Sequence, residues 1–107
     1  MSWPETPAPE TYVLRLFVAG TTTRSQRAIT SVSRFCDEHL PGRFELEVID
    51  VYTNPEATRD YQIVATPTLV KVSPTPMRRL IGDLTDQTRI FAGLNVGPFG
   101  GLSEAPA

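Results

Sequence analysis

Two side chains in this 107-residue sequence belong to types that often carry catalysis, and each is the only one of its kind. Because Cys36 is the single cysteine, the chain can form neither an intrachain disulfide nor a redox dithiol. His39 is the single histidine, so it has no second histidine with which to share a metal. We interpret Cys36 as a buried core residue and His39 as a structural residue near the end of a helix.

The carboxylates and glycines form no catalytic pattern either. Paired carboxylates need a water-poor cleft that separates their pKa values, whereas Glu45 and Glu47 are two apart on a predicted strand and share one solvated face. No Walker loop or dinucleotide fingerprint occurs. Gly20 and the three threonines after it can bind an anion at a helix N-terminus, but ordinary capping is the simpler interpretation. The sequence predicts a protein that is not an enzyme and has no cofactor or metal.

Prolines and basic residues point to binding instead. Pro67 enters a predicted strand, where it cannot donate to the ladder. X–Pro bonds exchange slowly between cis and trans, so Pro67, Pro74 and Pro76 offer three torsional switches, with simple turn formation as the alternative for the last two. Six basic residues form either a scattered solvated face or a patch for an acidic partner: Arg15, Arg24, Arg27, Lys71, Arg78 and Arg79.

Hydrophobic periodicity and chain breakers predict seven elements in the order βαβαββα. Strands are predicted at 12–18, 44–51, 68–72 and 77–81. A first helix ends at Pro41-Gly42, a short one runs from Pro55 to about Gln62, and a last one buries Ile90, Phe91 and Leu94. Thr21, Thr22 and Thr23 offer caps for the first helix, with a capping box of Thr23 and Gln26 expected to start it, and Thr85 can cap the last helix.

This order predicts the thioredoxin-like arrangement of the α/β class. A strand–helix–strand unit gives a parallel pair with a right-handed crossover, and the hairpin adds antiparallel strands. Such folds place a cis-proline at the position of Pro67 and, in redox enzymes, a dithiol after the first strand, where this chain has Gly20-Thr-Thr-Thr-Arg24. Residues 11–96 are expected to form a single domain, and the proline- or glycine-rich segments 1–10 and 97–107 to form flexible tails.

Composition and charge limit the cellular compartments and the classes of partner that are possible for this chain. The formal net charge of −2 gives no general attraction to nucleic acid or to an anionic membrane. No run approaches the roughly 20 apolar residues of a membrane-spanning helix, and the N-terminus lacks the features of a signal peptide. We expect a cytoplasmic protein.

Several blocks, taken in this order, resemble the KaiB family of circadian clock proteins over about 12–94. The N-terminal sensor domain of the SasA kinases is related and shares the second block and part of the fourth, whereas the ends of the first and last blocks favour KaiB. The blocks are Tyr12-Val-Leu-Arg-Leu-Phe-Val-Ala-Gly20, Val48-Ile-Asp-Val51, Asn54-Pro55, Ala65-Thr-Pro-Thr-Leu69 and Arg78-Arg-Leu-Ile-Gly-Asp-Leu84.

The resemblance implies a non-catalytic protein that binds the ATPase ring of KaiC, competes with SasA and helps to sequester KaiA. It also implies two folds, a thioredoxin-like monomer and a ground-state fold, usually tetrameric, with a rearranged C-terminal half. Positions assigned to partner binding are Arg27, Gln62, Lys71 and Arg78. Positions assigned to the fold switch are Pro67, Pro74, Pro76, Gly93 and Asn95. The alternatives are a SasA-type sensor domain or a KaiB-like paralogue in signalling or stress response outside the clock, with a thiol enzyme last.

Three departures from the family pattern affect these expectations. Glu47 stands where KaiB often has lysine, and Gln62 replaces a lysine of the short helix implicated in KaiC docking, so the surface is less basic. Residues 95–101 contain a proline and several glycines where the ground-state fold forms a strand. We therefore hypothesise that the ground-state fold is destabilised and that the monomer is the principal state, with a tetramer as the alternative.

Overall fold

A computed structural model describes residues 11–74 and 76–94, which form the seven elements in the predicted order. Bounds differ from the predicted ones by one or two residues. Asn95 and the predicted tails at 1–10 and 97–107 lie outside the described residues. The strands are β1 (Tyr12–Val18), β2 (Phe44–Asp50), β3 (Thr68–Ser73) and β4 (Arg78–Ile81), and the helices are α1 (Thr23–His39), α2 (Pro55–Asp60) and α3 (Gln87–Leu94).

The four strands form one mixed sheet in the order β2-β1-β3-β4. β1 and β2 are parallel, as the strand–helix–strand unit requires, and β3 pairs antiparallel with both β1 and β4. Because β1 and β2 run in the same direction, their carboxyl ends lie at the same edge of the sheet. The loops after these two strands therefore lie at that edge, beside the start of α1.

Strand alternation divides the core between the two faces of the sheet. Leu14 and Leu16 of β1 face α1 and α3 and are completely buried with Phe35 of α1. Phe17, which points to the opposite face, forms a smaller cluster with Ile49 and Val70. Since α2 is only six residues long, it covers part of that second face. The deeper core thus lies between the sheet and the helices α1 and α3.

The start of α1 differs from the predicted capping box. The cap is Thr22, whose Oγ1 accepts a hydrogen bond of 3.1 Å from the backbone N–H of Ser25. Thr23 is instead the first helical residue, and the backbone N–H of Gln26 donates to the Thr22 carbonyl at 2.9 Å. The prediction was one residue late, because three consecutive threonines offer the same side chain and only the backbone decides between them.

The predicted cap of α3 is also wrong by one residue. The Asp86 carboxylate accepts hydrogen bonds from the backbone N–H groups of Thr88 (3.0 Å) and Arg89 (3.3 Å), which is the geometry of an N-cap. Thr85 donates its hydroxyl and its backbone N–H to Asp83. Thr85 therefore shapes the turn before the helix rather than the helix end.

Among residues 11–74 and 76–94, two peptide bonds before proline are cis, Thr66–Pro67 and Ser73–Pro74. The first confirms the cis-proline expected at the start of β3. Pro67 is buried beside the start of α1, Pro74 is half-buried and Pro76 is exposed. Among the described residues, none of the three helices has the length and apolar character needed to cross a membrane.

Candidate functional site

The side chain of the most nucleophilic type in the sequence, Cys36, lies in the core. It is completely buried among the side chains that join α1 to the sheet and α3. Burial, and secondarily the negative charge of Asp37, raises the pKa of the thiol to about 12. A thiol with this pKa is protonated at neutral pH and a poor nucleophile. The interpretation of Cys36 as a core residue is confirmed.

His39 has the structural surroundings predicted for it. Its ring centroid lies 4.6 Å from that of Phe35 and 5.3 Å from that of Phe91. These contacts join the last turn of α1 to α3. Within residues 11–74 and 76–94, no three histidine, cysteine, aspartate or glutamate side chains are grouped closely enough to hold a metal ion.

A groove of about 500 Å³ occupies the place where a thioredoxin-like redox enzyme has its dithiol. We call it the Pro67 groove. Pro67, Arg24 and Arg27 line it together with the β4–α3 turn at Gly82 and Asp83. Hydrogen bonds from Thr85, followed by the positive charges of Arg89 and Arg24, lower the pKa of Asp83. The groove thus presents two guanidinium groups and an ionised carboxylate, and no thiol.

A second groove of about 480 Å³ lies between α1 and the start of α3. We call it the α1–α3 groove; it shares Arg27 with the Pro67 groove and continues along α1 to Arg34. On its far side the Gln87 Nε2 donates to the carbonyl oxygen and the hydroxyl of Ser31, both at 2.9 Å. The Gln87 Oε1 is buried and accepts no hydrogen bond from the described residues.

The six basic residues do not form one patch. Arg15 and Lys71 belong to neighbouring strands, but Arg15 is opposite Val70 and Lys71 is opposite Leu14, so the two side chains lie on opposite faces of the sheet. Arg15 forms an ion pair with Glu47 of β2. Its guanidinium carbon also lies 5.8 Å from the ring centroid of Tyr61.

The prediction that Lys71 contacts a partner is not supported in this fold. Lys71 is only 3% exposed, because strand alternation places it on the core face with Leu14 and Leu69. Its ammonium lies 5.8 Å from the centre of the Tyr12 ring, where a cation–π contact stabilises the buried charge. Lys71 therefore belongs to the core at the start of β1.

The other residues predicted to bind a partner lie at separate places. Arg27 is exposed on α1, near the carboxyl end of β1. Gln62 is exposed just after α2, with a positive φ of 55°. Arg78 is half-buried opposite Lys71, towards the other end of β1. Only Lys71 and Arg78 are brought together, so the four positions do not form one continuous binding surface.

The glycine assigned to the fold switch has a packing role in this fold. Gly93 lies on α3 against β4, and a Cβ added there would lie 3.0 Å from Cδ1 of Leu80. A Cβ at this position would therefore require the Leu80 side chain to move by a few tenths of an ångström. Its role in a fold switch stays a prediction, as do the roles of the three prolines.

The sequence interpretation missed two exposed apolar side chains beside α2. Tyr52, in the loop after β2, is 75% exposed, and Val64, in the loop before β3, is 85% exposed. Asp50 organises the first of these loops, since its carboxylate accepts hydrogen bonds from the backbone N–H groups of Tyr52 (2.9 Å) and Gly20 (3.4 Å). An aspartate at the end of a strand is the signal that predicts such a turn.

Comparison with known proteins identifies the family. Residues 15–96 match the family model described as the KaiB domain. The chain is 45% identical over 96 residues to the circadian clock oscillator protein KaiB of Prochlorococcus marinus, covering 90% of this chain and 81% of that protein. The chain belongs to the KaiB family. KaiB of a Nostoc species is 44% identical over 89 residues, covering 83% of this chain and 82% of that protein.

Solved structures confirm the thioredoxin-like fold. The N-terminal domain of Synechococcus elongatus SasA superposes with a TM-score of 0.72 and 28% identity, covering 100% of this chain and 98% of that domain. Chloroplastic thioredoxin z superposes with a TM-score of 0.64, covering 91% of this chain and 81% of that protein. At 24% identity the second match supports the fold alone.

Proposed function

We propose that this KaiB-family chain binds the ATPase ring of a KaiC-like protein and regulates its phosphorylation and ATPase cycle without catalysing a reaction itself. Family membership carries this proposal, since the curated relatives are clock oscillator proteins. The chemistry of the fold supports it. The groove at Pro67 contains no thiol, and burial raises the pKa of Cys36 to about 12. The chain therefore acts on a partner through contacts of its surface and not through a reacting side chain.

The proposed contact surface centres on α2 and its two flanking loops. Tyr52 and Val64 are exposed apolar side chains there, and Gln62 lies between α2 and Val64. Large aromatic side chains often dominate binding energy when a partner buries them. The hydrogen bonds of Asp50 fix the Tyr52 loop before binding, which lowers the entropy lost on association. Arg27 contributes at the α1 edge, where its charge steers the encounter.

The wider clock role follows from the same proposal. The chain acts as a cytoplasmic monomer in the thioredoxin-like fold, competes with a SasA-type kinase for the ring and takes part in sequestering a KaiA-like protein. Arg78 becomes a contact when a partner covers the β4 side. An alternative ground-state fold, which uses Pro67, Pro74, Pro76, Gly93 and Asn95, belongs to the proposal and is less populated than the fold described here.

The likeness to SasA favours one second candidate. The SasA N-terminal domain aligns over the full chain, so a freestanding sensor-type domain with a single fold is the alternative, acting in signalling or stress response outside the core clock. Slow conformational exchange, observed by NMR, distinguishes the two candidate functions. A KaiB-type protein shows a second set of amide signals that interconverts over minutes to hours, whereas a sensor-type domain shows one set.

Size-exclusion chromatography with light scattering tests ring binding. The protein is run alone and then with a KaiC-type hexamer that has turned over ATP for several hours. We expect a monomer that co-elutes with the hexamer, and a Val64→Ser variant that binds at least tenfold more weakly. Val48→Ser is the matched control, because Val48 is an exposed apolar residue of β2 outside the proposed surface. A chain that never co-elutes with the hexamer contradicts the proposal.

A further inference from the structure

The α1–α3 groove has the shape of a binding site, because one face of a helix forms its wall. Residues 23, 26, 27, 30 and 34 are spaced so that their side chains follow one side of α1. Thr85 and Gln87 stand opposite them. The groove is open along its length and holds about 480 Å³. Its shape accommodates an extended ligand that lies parallel to α1.

The charge of the groove is positive and is not balanced by its own lining. Arg27 and Arg34 lie seven residues apart, which is about 10.5 Å along a helix axis. No aspartate or glutamate is among the described residues that line the groove, although the whole chain has 12 acidic and 10 basic residues. Arg34 uses its Nε to bind Glu38 at 3.2 Å, and Arg27 forms no ion pair with a described carboxylate.

Gln87 adds a requirement that a simple anion does not meet. Its Nε2 is held by two hydrogen bonds to Ser31, which turns its Oε1 away from them. That oxygen is buried and accepts nothing from the described residues, and a buried acceptor without a partner is unfavourable. A ligand that suits this groove therefore carries negative charge for the two arginines and an N–H donor for the Gln87 Oε1.

We propose that the α1–α3 groove binds an acidic peptide segment of a partner protein. In a segment with polyproline II geometry, which has three residues per turn and a rise of about 3.1 Å, side chains three residues apart lie on the same side about 9.3 Å apart, which is close to the spacing of Arg27 and Arg34 along α1. Two carboxylates of the segment bind these two guanidinium groups. A small rotation of the Gln87 side chain exposes its Oε1 to a backbone N–H between them. The inference does not rest on binding to an ATPase ring, since any partner with such a segment can use the groove.

The test is an NMR titration of the ¹⁵N-labelled full chain with blocked synthetic octapeptides. The first is serine-rich with two glutamates three positions apart, and the second has glutamines at those positions. At low salt we expect saturable shifts of the Thr30, Arg34 and Gln87 signals with the glutamate peptide, and affinity at least tenfold lower for the glutamine peptide. The ion pairs are solvent-accessible, so 0.5 M NaCl weakens binding strongly.

Variants assign the contacts. The double variant Arg27→Gln/Arg34→Gln loses at least tenfold in affinity for the glutamate peptide, and Gln87→Met loses at least threefold. Arg79→Gln, at an exposed arginine of β4 outside the groove, stays within twofold of the unchanged protein. Thermal unfolding confirms that each variant is folded. The proposal is overturned by an absence of saturable shifts, by equal affinity of the double variant, or by displacement of the peptide by inorganic phosphate at equal concentration.

Discussion

Cys36 should react with a disulfide reagent such as DTNB at least about 1,000-fold more slowly in the folded protein than in the unfolded chain. The thiolate is the reacting species. The pKa of the thiol rises from 9.0 to about 12 on burial, so at pH 8 the thiolate fraction falls from about one tenth to about one in 10,000. The side chain is also fully shielded from solvent. The factor of 1,000 is thus a lower bound.

The assay compares the rate of thiol release at pH 8 in buffer and in 6 M guanidinium chloride. The matched control is Cys36→Ala/Asp37→Cys, which moves the only thiol to the exposed neighbouring position and should react within about tenfold of its unfolded rate. A native rate for Cys36 within tenfold of the unfolded rate would refute the reasoning. It would also revive a thiol-dependent activity for this chain.

The same pKa change makes stability depend on pH. Because the pKa is higher in the folded state, its stabilising contribution is fully present below pH 9 and is lost as the pH rises towards 12. The unfolded chain releases this proton first, so the free energy of unfolding decreases by up to about 1.4 kcal/mol per pH unit in that window. Urea unfolding of Cys36→Ala at pH 8, 9 and 10 should show a shallower dependence than that of the unchanged protein.

Three further substitutions test local structure, each by urea unfolding. Thr22→Ala removes the hydrogen bond to Ser25 at the start of α1 and should cost about 1 kcal/mol; no loss would mean that the cap is elsewhere. Gly82 has a φ of +115°, so Gly82→Ala should cost about 1–3 kcal/mol through backbone strain. Gly93→Ala should destabilise the protein by about 1–2 kcal/mol through contact with Leu80. In a Leu80→Ala background it should instead stabilise by up to about 1 kcal/mol, and the same sign in both backgrounds would contradict the packing argument.

Local signals were enough to predict the order of elements. Pro41 and Gly42 end α1, and Pro55 begins α2, because each acts on the backbone within a few residues. Periodicity likewise placed Cys36 on the buried side of α1. The caps were misplaced because Thr22 and Thr23 have the same side chain, and backbone angles that sequence does not display choose between them.

The arrangement of charges depended on contacts far apart in sequence. Lys71 is buried because β3 is aligned with β1 so that Lys71 faces Leu14, and this register includes an irregularity between Val13 and Leu14. A shift of one residue would turn Lys71 to the other face. The α1–α3 groove likewise joins residues more than 50 positions apart, such as Ser31 and Gln87. No spacing pattern in the sequence reports either feature.

The one thiol lies far from the place where a thioredoxin-like fold activates a thiol. The start of a helix lowers the pKa of a thiol, but at the start of α1 the Thr22 hydroxyl occupies that position as a cap. Cys36 is fourteen residues further along, about 21 Å down the helix axis, where burial raises its pKa. Burial thus suppresses the reactivity of Cys36. The start of α1, where the fold would lower the pKa of a thiol, has no cysteine. The candidates for partner contact are the exposed side chains of Tyr52 and Val64 and the arginines of the two grooves. Substitutions at these positions should alter partner affinity with little effect on stability.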